Sequence, residues 1–108
     1  MELLTAVDAL DALANETRLS VFRLLVQAGS DGLSAGDIAE RLGARQNTMS
    51  SHLHKLLRAG IVKSRRDGRH IIYKADFVEV GQLILYLMED CCRGSAAVCA
   101  PVAARIKC

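Results

Sequence analysis

Four cysteines, Cys91, Cys92, Cys99 and Cys108, stand in the last eighteen residues of the chain. Thiolates are soft ligands and suit soft ions. Cys91 and Cys92 are adjacent, and Cys99 follows seven residues later across a loop short enough to close readily. Three such sulfurs can cap one pyramidal trivalent arsenic or antimony ion. A fourth, such as Cys108, would favour tetrahedral zinc or cadmium. Two of the thiols could instead form a disulfide under oxidant. The plainest alternative is that they are small packed hydrophobes. An adjacent pair with a third cysteine close by argues against that.

A second set of residues carries charge. From Arg41 to Lys74 nine Lys/Arg (Arg41, Arg45, Lys55, Arg58, Lys63, Arg65, Arg66, Arg69, Lys74) face one acid, Asp67, for a net +8. The rest of the chain has five bases against eleven acids, −6, which returns the overall +2. All three histidines, His52, His54 and His70, also fall in the basic segment, and none has the spacing of a zinc pair. A basic block between acidic flanks is the footprint of a polyanion binder, most often of a duplex backbone, or else a solvated face. There is no Trp and aromatics are 4%, which excludes a stacking platform for single strands. No nucleophile–base pairing and no phosphate-cradling glycine loop is apparent, so the chain does not read as an enzyme.

The elements that must position these groups follow from length and periodicity. At 108 residues the chain is one domain, or half of a two-chain unit. The longest near-apolar run, Ala96 to Ala104, is nine residues and contains Pro101, far short of the roughly 20 that span a membrane. The start, Met1-Glu2-Leu3-Leu4, lacks the basic region of a secretory signal, so a cytoplasmic protein with reduced cysteines is expected. Leu3, Leu4, Val7, Leu10, Leu13 and Ala14 recur at helical spacing, with Asp8 and Asp11 between them, and predict a first amphipathic helix. Asn15 caps a second helix, Glu16 to Ala28, with the stripe Leu19, Phe22, Leu25 and Val26. Ser34-Ala35-Gly36-Asp37 starts a short third helix ending at Gly43. A fourth runs from Gln46 to Ala59 on Met49, Leu53, Leu56 and Leu57. Two β-prone runs, Ile61 to Arg66 and Arg69 to Lys74, flank Asp67-Gly68 and predict a hairpin. A last helix begins near Asp76 with Phe77, Val80, Leu83, Ile84, Leu87 and Met88, a stripe that Leu85 and Tyr86 widen beyond one face. Residues 1–93 are expected to form the domain and 94–108 a cysteine-containing tail.

Two short helices joined by a tight turn, the second rich in polar residues, make a helix-turn-helix pattern. The fourth helix would enter the major groove with Arg45, Gln46, Asn47, Thr48, Ser50, Ser51, His54 and Lys55 on its early and outward positions. Gln and Asn can pair with adenine edges, and Ser and Thr can reach phosphates or bases. The hairpin tip, with Arg65, Arg66 and Arg69, reads as a basic wing beside the groove. The fold class is therefore mainly α with a β-hairpin wing.

In order along the chain, Ala14-Asn15-Glu16-Thr17-Arg18-Leu19, Ser50-Ser51-His52-Leu53-His54-Lys55-Leu56, Ala59-Gly60-Ile61-Val62, Arg65-Arg66-Asp67-Gly68-Arg69 and Tyr73 resemble the ArsR/SmtB winged-helix repressors. The resemblance covers about residues 3 to 90. It implies a homodimer, built on the first and last helices, that binds double-stranded operator DNA and releases it when a metal or metalloid binds. Two departures bear on the inducer. The third helix has no cysteine, and the last helix has no histidine. Both absences move the expected sensing site to Cys91, Cys92 and Cys99, with trivalent arsenic or antimony as inducer. A thiol redox signal is the alternative, as are cadmium, lead and zinc. The pair Cys91-Cys92 is expected near a helix C-terminus beside Glu89 and Asp90, opposed only by Arg93, and that setting disfavours the reactive thiolate a redox sensor needs. A cytosolic metal buffer is a further alternative, but it has no use for the +8 segment.

Overall fold

The computed structural model describes residues 1–89 together with Pro101, Ala104 and Arg105. The first joint of the fold is set by side chains that close helix ends. Helix α1 (Leu3–Leu13) has no basic residue in its last turn. Arg18 of helix α2 (Glu16–Ala28) reaches back, and its Nε donates to the carbonyl of Ala12 at 2.7 Å. Asn15 Oδ1 in turn accepts from the Arg18 N–H at 3.0 Å and caps α2. Residues Ala14 to Leu19 thus fold α1 onto α2.

A 3-10 turn (Gly29–Asp31) follows, then a two-residue strand β1 (Leu33–Ser34) that the sequence pattern does not announce. Two residues are too few for any periodicity to register. Ser34 Oγ accepts from the Asp37 N–H at 3.2 Å and caps helix α3 (Ala35–Leu42), as its spacing predicts. After Gly43, Ala44 and Arg45 comes helix α4 (Gln46–Arg58). Strands β2 (Val62–Asp67) and β3 (His70–Ala75) form the hairpin, and helix α5 (Phe77–Met88) starts on Asp76, whose Oδ1 accepts from the Glu79 N–H at 3.3 Å. The sheet is antiparallel in the order β1-β3-β2. Asp67 pairs with His70, so the two-residue turn is Gly68-Arg69 and not Asp67-Gly68. Gly68 has φ +63° and, among the described residues, no non-glycine residue has positive φ, the pattern of a type II′ turn with glycine at its first central position.

The core joins all five helices and the base of the hairpin. Val21, Leu25, Ile38, Met49, Leu53, Leu56 and Ile61 are its largest fully buried side chains. Helix α1 is amphipathic, as its periodicity predicts, but it turns its small side chains inward. Its buried residues are Ala6, Ala9 and Ala12, while Leu3, Leu4, Val7 and Leu10 face outward. Alanines at every third position let α1 pack against α2, α4 and α5, and the larger side chains are left on the far face. On α2, Val21 joins Phe22 and Leu25 in the core, and Leu19 and Val26 are exposed. On α5, Leu83 is buried, Val80 and Tyr86 pack against the core, and Phe77, Val78, Ile84, Leu85 and Leu87 are exposed. The over-wide stripe of α5 thus has one side in the protomer's own core and one side uncovered.

Among the described residues no helix is long and apolar enough to cross a membrane. Cys91, Cys92, Cys99 and Cys108, and the boundary between residues 93 and 94, lie outside the described residues.

Candidate nucleic-acid interface

Helix α4 buries Met49, Leu53 and Leu56 on one stripe and leaves its opposite surface polar. Arg45, Gln46, Asn47, Thr48, Ser50, Ser51, His54 and Lys55 are all exposed, and His52 is half-buried. The helix packs against both α3 and β2, so its orientation is fixed by the core and not by its polar face. Its first turn holds no acid, and Arg45 at the N-cap position makes no side-chain cap. The partial positive charge of the helix start is therefore uncancelled and reinforced by a guanidinium, a setting that attracts anions. Lys55 and Arg58 occupy the last turn, where they offset the opposite end of the dipole.

The expected contact residues fall into three groups. At the helix start, Asn47 Oδ1 accepts from the Thr48 N–H at 2.8 Å, and Ser50 Oγ donates to the Gln46 carbonyl at 3.2 Å. The exposed side chain of Gln46 and the amide nitrogen of Asn47 stand ready for a ligand. Farther along, Ser51, His54, Lys55 and Arg58 form one wall of a groove whose other wall is Asp8 and Asp11 of α1. Lys55 Nζ lies 3.0 Å from Asp11 Oδ2, with both side chains well exposed. An exposed ion pair of this kind contributes under about 1 kcal/mol, so Lys55 can exchange Asp11 for a phosphate. The sequence marks Asp8 and Asp11 as polar positions on α1 but carries no signal that pairs either with α4.

The wing supplies the third group. Arg65, Arg66 and Arg69 are exposed, but they differ in what they hold. Arg65 donates from Nη2 to the Asp31 carbonyl at 3.0 Å and from Nη1 to the Ser30 carbonyl at 3.3 Å. Arg66 lies one residue beyond it on β2, and Arg69 lies in the turn. By sequence the three are equivalent cations. Nothing in the charge pattern distinguishes a guanidinium aimed at solvent from one held by backbone carbonyls 34 residues away.

Among the described residues no group of three or more His, Cys, Asp or Glu side chains comes close enough to hold a metal ion. His54 shares its groove with Asp8 and Asp11 but does not complete such a set.

Comparison with known proteins agrees with this arrangement. A helix-turn-helix domain family matches residues 13–65, from the end of α1 into β2. The transcriptional activator HlyU of Vibrio cholerae is 33% identical over 90 residues, 83% of this chain and 81% of its own length. Its structure superposes with a TM-score of 0.65 at 35% identity, over 82% of this chain and 96% of that one. The putative arsenical resistance operon repressor ArsR2 of Halobacterium salinarum is 29% identical over 86 residues, 80% of this chain and 70% of its own. The homodimeric winged helix-turn-helix DNA-binding domain of Mb0332 from Mycobacterium bovis, a possible ArsR-family transcriptional regulator, matches with a TM-score of 0.65 at 28% identity, over 82% of both chains. These relatives are regulators of transcription, not enzymes. The chain belongs to the ArsR/SmtB family of winged helix-turn-helix proteins and is a DNA-binding transcriptional regulator.

Proposed function

We propose that the chain is a cytoplasmic homodimeric repressor that holds operator DNA and lets it go when trivalent arsenic or antimony binds Cys91, Cys92 and Cys99. The observation that carries the dimer is the uncovered apolar surface of α1 and α5. Leu3, Leu4, Val7 and Leu10 on one helix, and Val78, Leu85 and Leu87 on the other, are exposed in a single protomer. A domain in water keeps so much apolar surface on two helices that touch each other when a second copy covers it. Mb0332, which has the same fold, is homodimeric. A two-fold dimer presents two α4 helices to two half-sites. In each half-site Gln46, Asn47 and Ser50 read base edges. Arg45, Thr48, Ser51, His54, Lys55, Arg66 and Arg69 hold phosphates.

The inducer reading rests on the chemistry of the donors. Three thiolates match a pyramidal trivalent ion, and they follow α5 in the chain, the helix whose outer face makes the dimer. A ligand there releases DNA only by binding the DNA-free conformation more tightly than the bound one. Movement of α5 would change the spacing of the two α4 helices and so supply that difference. The relatives carry both signs of regulation, an activator in HlyU and a repressor in ArsR2.

A gel-shift titration on the chain's own promoter decides among these. Reduced protein bound to duplex is challenged in turn with arsenite, antimonite, cadmium, zinc and an oxidant. Release by arsenite or antimonite is expected, abolished by serine substitution of Cys91, Cys92 or Cys99 and retained in Cys108→Ser. Release by cadmium or zinc alone, or by oxidant alone, would replace the inducer while leaving the DNA reading in place. Unimpaired arsenite response in Cys99→Ser would show the site to be wrong.

A further inference from the structure

The hairpin changes character halfway along its length. Ser34 of β1 pairs with Ile72 of β3, and Ile72 pairs with Arg65 of β2. That row is the last with three strands. Beyond it, Arg66↔Ile71 and Asp67↔His70 form a bare two-stranded ribbon that ends in the Gly68-Arg69 turn. An isolated two-stranded ribbon is marginal in water, so the direction of this tip depends on what holds its base.

Arg65 sits at that base. Arg65 is on β2, an edge strand of the sheet, and its guanidinium reaches the turn ahead of β1, the strand on the other side of β3. There it takes the Ser30 and Asp31 carbonyls in a two-pronged grip. Those carbonyls belong to the 3-10 turn that closes α2, a helix with no basic residue in its own last turn. Arg65 therefore supplies, from the wing, a cation to the carbonyls of this 3-10 turn, which has no basic residue of its own. The same corner is fixed from two other directions. Gly32 has φ +69° and approaches β3 so closely that a Cβ would stand 2.5 Å from the Tyr73 carbonyl oxygen. Ser34, two residues on, caps α3, and α3 packs against α4. One corner of backbone thus sets both the start of the helix-turn-helix and the root of the wing.

We propose that Arg65 is the positioning residue of the wing: it fixes the tip, with Arg66 and Arg69, relative to α4, and does not itself neutralise a phosphate. The proposal rests on the reading that the protein grips a duplex through α4 and the wing. Lysine cannot replace this arginine, because an ammonium is a point charge without the planar fork that holds two carbonyls.

The test compares R65A, R65K and R66A for operator affinity as a function of salt, and for hydrogen exchange at the backbone amides of residues 66–71 in the free protein. R65A and R65K are expected to behave alike. Each should speed exchange of the tip at least fivefold and weaken operator binding about tenfold through the cost of ordering the freed tip on the duplex; Arg66 and Arg69 still reach their phosphates once bound, so the salt slope stays within experimental error of wild type. R66A should do the reverse: unchanged exchange, and a salt slope lower by about 0.9 for each phosphate it no longer neutralises. Wild-type binding by R65K, or a slope reduced by about 0.9 in R65A, would make Arg65 an ordinary phosphate ligand. Unchanged exchange of the tip in R65A would show that the anchor holds nothing. If the wild type had no affinity for duplex DNA, the DNA reading would fail and the positioning role with it, while the exchange experiment would still report whether Arg65 fastens the ribbon.

Discussion

Substituting Leu85→Glu should turn the protein into a folded monomer. Leu85 lies on α5 and is 65% exposed, whereas Leu83, two residues earlier on the same helix, is 5% exposed. Fully burying a leucine is worth roughly 1.5–3 kcal/mol. About two-thirds of that remains to be gained when Leu85 meets a partner, roughly 1–2 kcal/mol per protomer. A two-fold interface contains the residue twice, so the variant loses roughly 2–4 kcal/mol of association, before the penalty for a carboxylate among leucines. The dimer dissociation constant should rise about 30- to 1000-fold. Sedimentation at micromolar concentration reads this directly. Circular dichroism should be unchanged, because the site is outside the protomer's own core. Binding to a duplex with two half-sites should fall with the dimer. Leu83→Glu is the contrast: it should unfold the chain. Wild-type protein that sediments as a monomer at tens of micromolar would refute the argument, as would a Leu85→Glu variant whose dimer affinity stays within threefold of wild type.

Other substitutions separate the roles of neighbouring elements. Gln46→Ala and Asn47→Ala should each weaken binding to the operator by roughly 1–3 kcal/mol and leave binding to unrelated duplex almost unchanged, as read by competition gel shift. Ala9→Leu places a large side chain where α1 is fully buried, and overpacking of this kind should cost about 1–3 kcal/mol. Thermal denaturation should then show a fall of at least roughly 4 °C. Gly32→Ala combines positive φ with a Cβ 2.5 Å from the Tyr73 carbonyl oxygen. It should destabilise by more than the roughly 1–2 kcal/mol that left-handed backbone alone costs, and a stability equal to wild type in urea would show that the β1–β3 approach is not tight.

Much of the helical framework is legible in the sequence because local chemistry specifies it. Asn15 and Ser34 cap the helices that begin after them, as their types and spacing predict, and the structure adds Asp76 at the start of α5; each accepts from an N–H three residues on. Met49, Leu53 and Leu56 recur at helical spacing and are buried, which leaves the polar residues between them exposed by elimination. The hairpin is legible as a pair of β-prone runs, but its turn is displaced by one residue. Asp-Gly is a common I′ pair, and the register Asp67↔His70 instead uses Gly68-Arg69. The cysteine reading is one of ligand chemistry, soft donors for a soft ion.

Helix α1 is instructive in another way. Periodicity selects the face with the largest apolar side chains but does not say what covers it. Here Leu3, Leu4, Val7 and Leu10 are that face, and they point away from the protomer. The buried face is Ala6, Ala9 and Ala12, which carries little hydrophobic area but allows close approach of backbones. A hydrophobic stripe states how much area must be removed from water, not which molecule removes it. The same ambiguity appears on α5, where Leu83 and Leu85 belong to one widened stripe in the sequence and divide between two environments in the fold. Arg65 is its charged counterpart. A count of cations gives the strength of a basic segment, and only the fold shows that this one is held by the Ser30 and Asp31 carbonyls. In each case the residue type is informative and the partner is not, because the partner lies either far along the chain or, if the proposed dimer holds, on a second copy of it.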